Sequence, residues 1–173
     1  YRIFTTYIFA NGKVKTKNGS EFCIGRDAQK WIGLKYLVLA ICTIGQALEK
    51  TVSKLFSNGE YASAVILDSV GSVAVENLAD YINNEVCQRA SFDGLTLTHR
   101  ISPGYGDWAL NEQKILFALL PSDKIDVTLT KSCMMQPRKS ISFLLGIVED
   151  YITEKEKGKC LHCDMVNCPY RIG

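Results

Sequence analysis

The chain has 173 residues, with 20 Lys plus Arg against 18 Asp plus Glu and a formal net charge of +2. This length suits one domain with a sizeable core. The near-balance of charge and the lack of a basic block argue against a nucleic-acid-binding protein that works by bulk charge. Hydrophobic residues make up 47% and charged residues 22% of the chain, so we expect a globular protein rather than a disordered one.

Apolar runs and cysteines are the features of the sequence that indicate the cellular compartment. The longest apolar run, Leu37 to Cys42, is too short to cross a bilayer, and no signal-peptide pattern opens the chain. Seven cysteines is an odd number, which fits a disulfide framework poorly. Four scattered cysteines are predicted to be buried free thiols: Cys23, Cys42, Cys87 and Cys133. We therefore expect a cytoplasmic protein without a membrane partner.

Strand and turn patterns dominate the N-terminal part of the chain. Residues 1–23 contain Asn11-Gly12 and Asn18-Gly19 between strand-like runs, and this predicts a β-meander. Leu37 to Thr43 is a continuous apolar and β-branched run, which predicts a strand buried on both faces.

Two helices are predicted next. Apolar residues at helical spacing from Ala47 to Phe56 precede Ser57-Asn58-Gly59, which suits a helix C-terminus. A longer helix is predicted from about Tyr61 to Arg89. Its predicted core stripe is Leu67, Val70, Ala74, Leu78 and Tyr81, and its predicted polar face is Ser69, Ser72, Glu76, Asp80 and Asn83.

The second half alternates between short strands and turns. Leu95 to Thr98 is a predicted strand, and a helix is predicted from the N-cap Asp107 to Leu120. Ile125 to Leu129 and Ile141 to Val148 are further predicted strands. This order predicts an α+β fold with a twisted, mainly antiparallel sheet over residues 1–150, followed by a charged, cysteine-rich tail over residues 151–173.

A turn rich in glycine is the first candidate site. Ser102-Pro103-Gly104-Tyr105 has the composition of a type II turn and follows Arg100 directly along the chain. The glycine permits close approach of a ligand, Arg100 offers a planar fork for a carboxylate, and Tyr105 offers a flat apolar face. An ordinary connecting turn with a surface arginine is the alternative.

Glu76 is the second candidate, because the small side chains of Ser69 and Ser72 beside it leave room for something bulky. A solvated helix face is the alternative.

The tail is the third candidate. Cys160, Cys163 and Cys168 have a spacing that suits zinc, with His162 available as a fourth ligand, or an iron–sulfur cluster with one open position. The alternative is a flexible or redox-sensitive end without a metal.

At the Arg100 turn the sequence resembles a known family. Arg100-Ile-Ser-Pro103-Gly104-Tyr105 is similar to the Arg-x-x-x-Gly-Tyr consensus of the activation (reactivation) domain of cobalamin-dependent methionine synthase. Glu76-Asn-Leu-Ala-Asp80-Tyr81 and the segment from Asp126 to Ser142 resemble flanking parts of that domain in the same order. The tail cysteines are more like those of small stand-alone reactivation-domain-like proteins of anaerobic bacteria.

The resemblance implies a ligand and a partner. In that family the domain binds S-adenosylmethionine and docks on the cobalamin module, so that oxidised cobalamin can be reduced and remethylated. By position, Arg100 would pair with the methionyl carboxylate and Glu76 with a polar group of the ligand. The backbone at Ser102 and Gly104 would bind adenosine, and Tyr105 would line the groove.

Three functions follow as hypotheses. The first is an accessory module without independent turnover, whose partners are a methionine synthase core or other corrinoid protein and an electron donor such as flavodoxin or ferredoxin. The second is an iron–sulfur redox protein that delivers the electron itself. The third is a scaffold that binds another nucleotide-like molecule in the same groove.

The family's acidic residue near the domain start and its second tyrosine have no counterpart here.

Overall fold

A computed structural model describes residues 1–9, 13–17, 19–24 and 34–149, which form two antiparallel sheets with three α-helices. The strands are β1 (Arg2–Phe9), β2 (Lys13–Thr16), β3 (Glu21–Cys23), β4 (Leu34–Thr43), β5 (Thr96–Leu97), β6 (Thr128–Leu129), β7 (Met135–Gln136) and β8 (Ser140–Val148). The helices are α1 (Ala47–Ser57), α2 (Tyr61–Phe92) and α3 (Gln113–Leu119), with short 3₁₀ helices at Leu110–Glu112 and Ser122–Ile125.

The larger sheet has the strand order β3-β2-β1-β4-β8-β5, and its strand pairs are all antiparallel within the described residues. Strands β6 and β7 pair separately. The predicted α+β class with a mainly antiparallel sheet is confirmed, as is the meander formed by β1, β2 and β3. The predicted turn at Asn11-Gly12 and the predicted tail over residues 151–173 lie outside the described residues.

The pair β4–β8 lies in the middle of this sheet and is covered on both faces, as predicted for residues 37–43. The face under α2 carries Val38, Ala40, Cys42, Phe143, Leu145 and Ile147. The opposite face carries Leu37, Leu39, Ile41 and Leu144, packed with Trp108 and with Leu116 of α3. Each of these side chains is at least nine-tenths buried, so the two layers share one central pair of strands.

The predicted core stripe of α2 is partly wrong. The buried residues of the helix are Ala64, Gly71, Val75, Ala79, Val86 and Ala90. Val70 and Tyr81 are 53% and 63% exposed, whereas Leu67, Ala74 and Leu78 lie half-buried at the margin. Apolar residues occur all round this helix, so periodicity alone does not fix the buried side. At one buried position, Gly71, the missing side chain leaves room for Leu48 of α1.

Two later elements also differ from the prediction. The predicted helix from Asp107 begins only at Gln113, because Ala109 has an extended backbone (ψ 138°) and a 3₁₀ turn follows it. Asp107 is therefore not its N-cap. The predicted strand from Ile125 is reduced to Thr128–Leu129, because Ile125 ends a 3₁₀ helix and Asp126 has a left-handed backbone (φ 53°).

The cysteine prediction holds for two of the four scattered thiols. Cys42 and Cys133 are buried and free. Cys23 and Cys87 are exposed, because Cys23 lies in the short edge strand β3 and Cys87 lies on the solvent side of α2.

Helix α2 is also long and apolar enough, by length and composition alone, to cross a membrane, with a mean hydropathy of 1.3 in its most apolar window. Polar residues are scattered along this helix, so it contains no long uninterrupted apolar run. The finding is weak evidence, since core helices and signal sequences pass the same test. A cytoplasmic location therefore stays a prediction.

Helix α1 packs on α2 at a glycine notch, defined as Gly71 and the side chain of Leu48 above it. A Cβ atom at position 71 would lie 2.8 Å from Leu48 Cδ2. We predict that Gly71→Leu lowers the free energy of unfolding by about 1–3 kcal/mol through overpacking, measured by urea denaturation. Ser69→Leu, at an exposed position of the same helix, should change it by less than about 0.5 kcal/mol. Equal effects of both substitutions would contradict close packing at the notch.

Candidate functional site

Arg100 lies just beyond the short edge strand β5, in a segment fastened to β8 on both sides. The Thr98 N–H donates to the Gly146 carbonyl at 2.9 Å, and the Gly146 N–H donates to the Thr98 hydroxyl at 2.9 Å. On the other side, the Ile101 N–H donates to the Leu144 carbonyl at 3.1 Å. The backbone on either side of Arg100 is therefore held by the most buried strand of the sheet.

The Arg100 side chain crosses the ring of Phe143 and ends against α2. Its guanidinium carbon lies 5.3 Å from the ring centroid, a cation–π distance. Its Nη2 donates to Glu76 Oε2 at 2.8 Å, and Nη1 lies 3.5 Å from Asp80 Oδ1. Only 19% of the arginine side chain is exposed, whereas the two carboxylates are mostly exposed. The guanidinium is thus held between the Phe143 ring and two carboxylates that lie one helical turn apart on α2.

One nitrogen of the Arg100 guanidinium lacks a hydrogen bond. Nη1 is buried and makes no hydrogen bond, because its contact with Asp80 is at ion-pair distance only. A buried donor without a hydrogen bond costs free energy.

The turn after Arg100 has the predicted type II form. The Tyr105 N–H donates to the Ser102 carbonyl at 3.2 Å, and Gly104 has a φ of +92°, which favours glycine. The Gly104 N–H donates to the Trp108 carbonyl at 2.8 Å, so it braces the turn. Ser102 is half-buried and the Tyr105 side chain is 76% exposed, so the tyrosine ring stands free at the surface beside the arginine segment.

The sequence-predicted site residues thus fall into two groups. Glu76 and Arg100 are in contact, and Ser102, Gly104 and Tyr105 form the turn directly after the arginine along the chain. The tail residues Cys160, Cys163 and Cys168 lie outside the described residues. Among the residues that the structure describes, no group of His, Cys, Asp and Glu side chains is arranged to hold a metal ion.

A second cation fastens α2 in the same way, and sequence reasoning missed it. Lys139 Nζ lies 2.9 Å from Asp68 Oδ1 and donates to the Ser72 hydroxyl at 2.8 Å. Only 12% of the lysine side chain is exposed. Asp68, Ser72, Glu76 and Asp80 follow one another at four-residue spacing, and we call these four residues the polar ladder. Three of them were placed on the polar face of the predicted helix, but nothing local indicated the two cations opposite.

Beneath this region lies the thiol of Cys42. Burial raises the pKa of the Cys42 thiol above its ordinary value, against smaller opposing effects of a hydrogen bond with the Ile141 backbone and of the Arg100 charge. The thiol is therefore neutral near pH 7, and it contributes an apolar surface rather than a nucleophile.

Comparison with known proteins adds no family. No protein-family model matches the chain, and no curated protein has a significantly similar sequence.

We predict that the Arg100–Glu76 pair contributes measurably to stability because the arginine is largely buried. A double-mutant cycle with Arg100→Met and Glu76→Gln, followed by urea denaturation, should give a coupling free energy of about 1–2 kcal/mol. The exposed pair Lys15–Glu21, at 2.7 Å, is the matched control and should give less than about 0.5 kcal/mol. Equal coupling in both pairs would show that burial of the arginine contributes nothing.

Proposed function

We propose that the chain is an accessory module that reactivates a cobalamin-dependent methionine synthase or a related corrinoid protein. In this proposal it binds S-adenosylmethionine at the Arg100 turn and docks on the partner's cobalamin module. The observation that carries the proposal is the 2.8 Å contact between Arg100 and Glu76, which are 24 residues apart and are the two charged ligand residues that the family resemblance implies. This contact supports one shared binding place for both.

An arginine–glutamate pair is the charge complement of an amino-acid zwitterion. The ligand's carboxylate can replace Glu76 on the guanidinium while its ammonium takes the freed Glu76 carboxylate, so each charge keeps an opposite partner. The Glu76 side chain is 58% exposed and sits on a helix surface, so it can turn toward a ligand without leaving water.

The turn supplies the rest of the binding surface. Adenosine pairs with backbone groups of Ser102 and Gly104 that do not close the turn, and the exposed ring of Tyr105 offers a π-face to the sulfonium. The same exposed ring can meet the partner's cobalamin. The buried Pro103 and the glycine φ fix the turn, so little ordering is needed on binding.

The chain's own part in this proposal is binding and positioning, without independent turnover. The methyl group comes from S-adenosylmethionine, and the electron comes from a donor such as flavodoxin or ferredoxin. The alternative is that an iron–sulfur cluster held by Cys160, Cys163 and Cys168 supplies the electron. These cysteines lie outside the described residues, so this alternative keeps its basis in the sequence.

We predict that Arg100→Met weakens S-adenosylmethionine binding by about 1.5–3 kcal/mol, the scale of a charged hydrogen bond, as measured by titration calorimetry. Lys139→Met is the matched control, because it removes the other cation that fastens α2 and should leave binding within about 0.5 kcal/mol. 5′-Methylthioadenosine lacks the amino-acid end, so its affinity should be the same for wild type and Arg100→Met.

The ligand proposal fails if wild type shows no binding, or if both substitutions weaken it equally. In the second case the cations act on binding only through the placement of α2.

We predict that the chain stimulates remethylation of a methionine synthase core that lacks its own activation domain. The visible absorbance of the cobalamin measures the rate of this reaction. Tyr105→Ala should lower the rate at least tenfold. Tyr61→Ala removes an equally accessible ring from α2, at 65% exposure, and should not change it. Reducing the chain with dithionite, removing the dithionite and omitting flavodoxin separates the two hypotheses. The accessory module then gives no remethylation, whereas in the redox alternative the reduced cluster supports one turnover, which Cys163→Ser abolishes.

A further inference from the structure

The outer face of α2 is apolar and bare, on the side opposite the sheet. We call it the outer strip: Ile66, Val70, Val73, Asn77, Tyr81 and Asn84, all exposed. At about 100° per residue these six positions fall within one quarter of the helix circumference. Ile66 and Val73 are 65% and 61% exposed, and Tyr81 is 63% exposed. An exposed row of this kind marks an interaction surface.

The charges around the outer strip restrict what can cover it. Between Tyr61 and Gln88 the helix has no Lys or Arg, and three of its acids are already held by Lys139 and Arg100. A membrane-surface helix needs basic residues beside its apolar face to meet anionic lipid, and here the adjacent polar ladder is acidic. A strongly charged protein partner finds no counter-charge on the outer strip. The covering surface must therefore be uncharged, like the outer strip itself.

We infer that the outer strip is covered by a second copy of this chain, with the two α2 helices packed antiparallel about a two-fold axis at Asn77. In that register Val73 of one copy meets Tyr81 of the other, and Val70 meets Asn84. Asn77 meets itself on the axis, where two amides can donate to and accept from each other. A single polar residue of this kind fixes the register of paired helices.

The area is sufficient for a weak dimer. The contact runs from Ile66 to Gln88, about 34 Å along the helix. With a width of one helix, it buries roughly 1,000 Å² in total, the lower limit for a specific interface. We therefore expect dissociation in the micromolar range. The Arg100 site lies on the flank of α2 and not in the outer strip, so the dimer and the proposed function stand independently.

Sedimentation equilibrium of the full chain, in reducing buffer from 1 µM to 1 mM, tests the inference. The wild type should pass from monomer to dimer within this range. Val73→Lys buries a charge against Tyr81 of the other copy and should raise the dissociation constant at least tenfold, while lysine keeps the helix favourable. Ser53→Lys adds the same side chain at an exposed position of α1 and should leave dimerisation unchanged.

Disulfide cross-linking tests the register of the two α2 helices in the dimer. Asn77→Cys should cross-link to its own copy under mild oxidation faster than Ser53→Cys, with wild type as the background for the native exposed thiols. A monomer at 1 mM overturns the inference, as does a dimer that Val73→Lys leaves intact while circular dichroism shows both variants folded. Binding to phospholipid vesicles without self-association would assign the outer strip to a membrane and overturn it too.

Discussion

The central antiparallel pair β4–β8 is the interaction on which the other features depend. Both of its faces are covered, so the same pair of strands contributes side chains to two hydrophobic cores. On one face Phe143 of β8 is the floor under the Arg100 guanidinium. At the edge, backbone groups of Leu144 and Gly146 in the same strand hold the segment that carries the arginine. The candidate site is therefore positioned by the most buried strands of the sheet rather than by its own loop.

Arg100 takes part both in the fold and in the proposed site, so a ligand has to compete with the structural contacts of this arginine. A cation bonded to a structural acid is pre-oriented, so a ligand does not have to order it. The same bond has to be exchanged when a ligand carboxylate arrives. Asp80 and the Phe143 ring keep the guanidinium in place during that exchange, because neither contact depends on Glu76. The arrangement favours ligands that bring both charges over simple anions.

Local signals in the sequence predicted the elements well and their packing less well. The meander, β4, α1 and the span of α2 follow from turn residues, apolar runs and helix ends. The buried side of α2 does not, since Val70 is exposed and Val75 is buried although the two residues are identical, and only their tertiary surroundings separate them. No local pattern predicted the Glu76–Arg100 contact, and the family resemblance assigned each residue to a ligand rather than to the other. The Lys139 contact with α2, 67 residues away at Ser72, had no local signal at all.

The polar ladder and the glycine notch differ in how well they define the position of α2 along its axis. Ladder residues repeat every four positions, about 6 Å along the helix, so a shift by one step would still give both cations polar partners. The ladder alone therefore tolerates several registers. The notch does not, because the same shift would bring Val75 under Leu48 in place of Gly71, where even one added carbon would lie 2.8 Å from the leucine. Steric crowding at a residue without a side chain thus favours one register among electrostatically similar ones, because Leu48 would have to move to admit a larger residue.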